Sequence, residues 1–72
     1  MKTKKKYTGI AQIKERGEYR CVKYRVNYPD QLLKFLQKNF DDVCWLNIYH
    51  NRGVSYRNKY SSWFKKDGWI MF

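Results

Sequence analysis

One segment of the chain carries a clear helical period, and it lies near the middle. Within residues 27–40, Leu32, Leu33, Phe35, Leu36 and Phe40 recur at three- and four-residue spacing, which sets one apolar stripe opposite Gln31, Lys34, Gln37 and Lys38. Start signals precede the stripe. Asn27 is placed to cap, Pro29 suits the first turn, and Asp30 favours the positive end of the helix dipole. A helix with one apolar face must bury it against something else, so the flanking segments have to supply the opposing layer.

Those flanks read as strand. Residues 18–26 are rich in Tyr and Val, with Val22, Tyr24 and Val26 on one face and Tyr19, Cys21, Lys23 and Arg25 on the other. Residues 6–13 read as a partner strand, joined through Lys14-Glu15-Arg16-Gly17, whose glycine accepts a positive φ. Residues 43–50 form a short apolar strand in which Cys44, Leu46 and Ile48 are expected to face the helix and Trp45, Asn47 and Tyr49 the open side. Asn51-Arg52-Gly53 then reads as a hairpin connection into Val54-Ser55-Tyr56.

Residues 55–66 carry two signals at once. Tyr56, Tyr60, Trp63 and Phe64 fit a helical stripe, with Ser55 as a cap and Gly68 as a stop. The abundance of Tyr, Trp, Phe, Ser and Asn argues for strand instead, and Lys66-Asp67-Gly68 reads as a turn into a last strand over 69–72. The expected architecture is therefore α+β: a small antiparallel sheet in the order β-β-α-β-β-β, with one amphipathic helix on one face and β-β-α-β-α-β as the alternative. Residues 1–6 are expected to be a flexible basic arm, and 7–72 a single domain. The apolar stretch Trp69-Ile70-Met71-Phe72 is expected to close the sheet and contribute buried surface. Its alternatives are an exposed anchor, or an edge for a homodimer or partner protein.

Charge decides which partners to expect. The 72 residues carry 16 Lys and Arg against 6 Asp and Glu, for a net charge of +10. Residues 1–26 hold +7 of it, 27–42 are net −1, and 43–72 hold +4. With 43% hydrophobic and 19% aromatic residues the chain is too apolar for a disordered basic tail, and no apolar run exceeds four residues, far short of a membrane span. The basic start is followed by a stretch too polar for a signal peptide, and Cys21 and Cys44 read as reduced thiols, so a cytoplasmic setting is expected. The near-neutral helix is poorly suited to reading a major groove. A sheet face on which rings alternate with cations suits single-stranded nucleic acid, because rings stack on bases while Lys and Arg neutralise phosphates.

The expected contacts follow. Tyr19, Trp45 and Tyr49 would stack; Lys23, Arg25, Arg52, Arg57, Lys59 and the arm residues Lys4, Lys5 and Lys6 would meet phosphate. DNA and RNA are equally compatible with such a surface. Small basic proteins of this size occur in phages and mobile elements. The principal alternative is a small inhibitor or interaction protein that binds a nucleic-acid enzyme or an acidic nucleoprotein complex. A second is metal-independent RNA cleavage, with His50 or Tyr49 transferring the proton and Arg52 or Arg57 stabilising phosphorane charge. Catalysis is otherwise not expected. Cys21, Cys44 and His50 lack metal-ligand spacing, and no phosphate loop, nucleophile elbow or dinucleotide fingerprint implies a cofactor.

Overall fold

The computed structural model describes residues 6–50 and 56–72, Tyr56 by its backbone alone. In chain order it contains β1 (Tyr7–Glu15), β2 (Glu18–Val26), α1 (Pro29–Asn39), β3 (Asp42–His50), a 3-10 turn (Tyr56–Asn58), β4 (Lys59–Phe64) and β5 (Gly68–Met71). The α+β architecture and its β-β-α-β-β-β order are as expected. The strand signal over 55–66 prevails from Lys59 onward, while Tyr56–Asn58 form the 3-10 turn. The strands build one sheet in the order β2-β1-β3-β4-β5, with every neighbouring pair antiparallel. The helical connection from β2 to β3 therefore steps over β1.

β1 runs two residues further than its sequence suggests, because Lys14 and Glu15 continue the ladder opposite Tyr19 and Glu18. That leaves only Arg16 and Gly17 in the turn, with φ of 54° and 82°. Positive φ at both central residues matches the right-handed twist of the flanking strands, and glycine accepts it without a steric penalty. The turn is tied down from the far end of the helix. The Asp41 N–H donates to the Lys14 carbonyl at 3.0 Å, and the Arg16 N–H donates to Asp41 Oδ2 at 2.9 Å.

Two helix expectations are corrected. Tyr28, not Asn27, is the N-cap, and it makes no side-chain cap bond. The Asn27 side chain is engaged elsewhere, its Oδ1 accepting the Lys6 N–H at 3.0 Å and closing the β1–β2 pair. Leu32, Leu33 and Leu36 are buried as expected, but Phe35 is 46% exposed and meets the Tyr24 ring edge-on at 5.6 Å. It sits at the border of the stripe, over the edge strand β2 and away from the centre of the sheet.

The core lies between α1 and the centre of the sheet, where Leu32, Leu33 and Leu36 meet Ala11, Ile13, Val43, Leu46 and Ile48. Gly9 belongs to this layer. A Cβ at Gly9 would overlap the Leu32 side chain, so the helix approaches β1 as closely as it does because nothing projects there. A bulge in β3 corrects a further assignment: Gln12 pairs with Trp45 but Ile13 pairs with Val43, leaving Cys44 as the extra residue. Val43 takes the core position expected of Cys44. Cys21 on β2 and Cys44 on β3 are both free thiols, and β1 runs between them. Two strand spacings, about 10 Å, exceed what a disulfide spans.

β5 closes the sheet, but as an exposed edge and not as core. Trp69, Ile70, Met71 and Phe72 are each exposed, from 36% at Trp69 to 64% at Phe72. No helix is long and apolar enough to cross a membrane among the described residues. The proposed arm residues 1–5 and the hairpin at 51–55 lie outside the described residues.

Candidate nucleic-acid interface

Alternation divides the sheet into a helix-side face and an open one. Gly9, Ala11 and Ile13 face the helix, so Thr8, Ile10, Gln12 and Lys14 face away, and the strand registers carry this division outward to both edges. Among the described residues no element covers the open face. Its side chains stand in rows across the strands.

The first row runs Arg25, Thr8, Tyr49, Lys59. Arg25 Nη1 donates to Thr8 Oγ1 at 2.6 Å, which satisfies a fully buried hydroxyl and steadies the guanidinium. At the end of the row the Lys59 ammonium lies 4.7 Å from the centroid of the Phe72 ring. The second row runs Lys23, Ile10, Asn47, Ser62, Ile70, and within it the Ser62 hydroxyl donates to Asn47 Oδ1 at 2.6 Å. The third runs Cys21, Gln12, Trp45, Phe64. The fourth holds Tyr19, Lys14 and Asp42, with Lys14 Nζ at 5.5 Å from the Tyr19 ring centroid.

Three cations therefore stand on β1 and β2, the rings of Trp45, Tyr49 and Phe64 on β3 and β4, and Lys59 at the end of β4. Lys14, Lys23, Arg25 and Lys59 stand against one acid, Asp42, whose Oδ2 accepts from Lys65 Nζ at 2.8 Å. The hydrogen bond from Lys65 holds the Asp42 carboxyl below its ordinary value, and the same contact raises Lys65. The acid is thus ionised and locally neutralised, and the field over the face stays positive.

Six of the residues singled out in the sequence meet on this face: Tyr19, Lys23, Arg25, Trp45, Tyr49 and Lys59. Arg57 does not, because it lies in the 3-10 turn ahead of β4 and not on a strand. Lys6 sits at the end of β1, and Lys4, Lys5 and Arg52 lie outside the described residues. Sequence reading missed Lys14, Phe64 and Phe72. Lys14 was assigned to a turn, Phe64 was obscured by the double signal in its segment, and Phe72 comes into play only through the packing of β5 beside β4.

His50 and Tyr49 are consecutive strand residues and point to opposite faces. His50 packs on the helix side against the rings of Tyr7 and Tyr60, at centroid distances of 5.5 and 5.0 Å. The two alternative proton-transfer groups thus stand on opposite faces, and Arg52, offered as a phosphorane-stabilising group, lies outside the described residues. Among the described residues no group of three or more His, Cys, Asp or Glu side chains is placed to hold a metal ion. The chain matches no protein-family model, no curated protein sequence and no solved structure.

Proposed function

We propose that this protein binds single-stranded nucleic acid across the open face of its sheet. The observation that carries the reading is the row pattern: Trp45, Tyr49 and Phe64 on β3 and β4 of a face that no described element covers, with Lys14, Lys23 and Arg25 beside them on β1 and β2 and Lys59 at the end of β4. A strand lying across the rows stacks its unpaired bases on the rings and lays its phosphates against the cations. The contacts of Lys59 with Phe72 and of Lys14 with Tyr19 keep cation and ring adjacent, so each ammonium has a phosphate within reach when a base takes the ring face. The basic arm, Arg52 and Arg57 add further phosphate contacts. The setting of this reading is the reducing cytoplasm, where two separated thiols stay free.

The test is a fluorescence and anisotropy titration with single-stranded DNA, single-stranded RNA and duplex DNA of equal length between 50 and 200 mM salt. Four phosphate contacts on a single strand give a logarithmic salt slope of about −2.8, or roughly 50-fold weaker binding across that range. Tryptophan quenching confined to the single strands is the expected result. Absence of binding to all three at 50 mM overturns the reading. It would then favour the interaction-protein alternative, for which the exposed apolar edge of β5 is the specific support.

A further inference from the structure

The helix-side face has its own opening. Between the N-terminal end of α1 and strands β4 and β5 lies a groove of about 550 Å³, walled by Tyr7, Tyr28, Tyr60, Trp69 and Met71, with Lys6, Asn27 and Asp30 at its polar rim. Ser61 lines it too. That side chain is 1% exposed, and its hydroxyl has no hydrogen-bond partner among the described residues. A buried hydroxyl left unpaired is costly, and here it lies in the wall of a groove otherwise made of rings.

We infer that this groove receives one unstacked base of the bound strand. The inference rests on the open-face reading and extends it round the end of the sheet. Tyr7 and Thr8, and likewise Tyr60 and Lys59, are consecutive residues on opposite faces, so the first row of the open face and the groove share one end of the sheet. A strand running along Arg25, Tyr49 and Lys59 leaves the row at β4, and its next nucleotide turns round the shared end of the sheet into the groove. The occupant is a planar heteroaromatic ring on an anionic backbone. The rings of Tyr60 and Trp69 offer stacking surface, and the base edge takes Ser61 Oγ together with the polar groups of Asn27 and Asp30. Met71 is the cross-strand partner of Ser61 and is 60% exposed, so the groove wall beside the hydroxyl carries a flexible thioether that can shift for a ligand. Asp30 and the ring faces would also suit an organic cation, but Lys6 and the net charge of +10 oppose one.

A protein carrying Trp45→Phe and Trp63→Phe keeps Trp69 as its single reporter and is titrated with a ten-nucleotide single strand at 50 mM salt. Saturable quenching of Trp69 is expected. In the otherwise unchanged chain, Ser61→Ala should weaken strand binding about three- to tenfold while leaving the melting temperature equal or higher, since it deletes an unpaired buried hydroxyl. A purely structural serine would not separate the two readouts. If the double variant fails to fold, Trp69→Phe in the unchanged chain should remove part of the quenching amplitude instead. Strand binding by anisotropy with Trp69 unmoved and Ser61→Ala binding normally overturns the inference and leaves the open-face reading standing. If no strand binds, adenosine and uridine monophosphate decide the groove: quenching of Trp69 keeps it as a nucleotide site, and no quenching overturns it. A Trp69 signal that changes on dilution, with sedimentation giving a dimer, assigns the groove to a second copy of the chain and also overturns it.

Discussion

The helix-side face of this sheet has two halves of opposite character. Over β1 and β3, α1 seals a dry layer in which Ile13, Leu36, Leu46 and Ile48 are fully buried. Over β4 and β5 the same face presents Ser61, Trp63, Trp69 and Met71, and among the described residues no helix lies above the outer ones. The difference is one of dimensions. A helix is about 10 Å across, whereas five strands at about 4.8 Å spacing span roughly 20 Å, so one helix covers half a sheet. The connection from β2 to β3 fixes which half, because it must pass over β1. Stability is concentrated where the helix lies, and exposed apolar surface and the groove remain where it does not.

Substitutions can break that contrast or sharpen it. The largest effect is expected for Leu36→Ala in the covered half, a loss of about 2–5 kcal/mol by urea unfolding. So small a domain has little stability in reserve, and this variant should be largely unfolded at 37 °C. Gly9→Ala comes next, at about 1–3 kcal/mol, because its methyl group collides with Leu32. Combining it with Leu32→Val should cost less than the sum of the two single changes, and additivity would show that the close approach is not the cause. In the uncovered half, Met71→Thr should change stability by about 0.5 kcal/mol or less. A loss as large as that of Leu36→Ala would mean that β5 is core after all.

The smallest effect is expected at the Asp42–Lys65 pair, which is solvent-exposed. Asp42 titrates lower folded than unfolded, so its contribution is present above the ordinary 3.8 and is lost as pH falls through the depressed folded value. Lys65→Met should therefore melt below the unchanged protein near neutral pH, and the two curves should converge once the pH has fallen through the depressed folded value of Asp42. A difference that persists at pH 2 would assign the effect to packing by the lysine stem.

Much of this was readable from residues alone, and the exceptions have common causes. The alternation of Val22, Tyr24 and Val26 against Tyr19, Lys23 and Arg25 placed β2 correctly, because one charged face and one apolar face leave a strand a single sensible orientation. The alternation of β3 was read correctly from Trp45 to Tyr49 and failed at Cys44, because a bulge shifts the period by one without a local sequence signal. Asn27 had the chemistry of a cap and became a clamp on Lys6, a choice made by a strand 21 residues away. Arg57 was assigned to a strand that starts two residues later.

The fold class, the helix with its buried stripe, the positive charge and the alternation along β2 and from Trp45 to Tyr49 are legible in the residues alone. These are properties of neighbours in the chain, where period and propensity act directly. That β1 lies in the interior between β2 and β3, that the helix covers one half of the sheet, and that Ser61 has no partner among the described residues in a groove wall rich in rings came from the packing of distant segments. Those outcomes depend on which distant segments pair and on how wide a helix is relative to a sheet, and no local pattern encodes either.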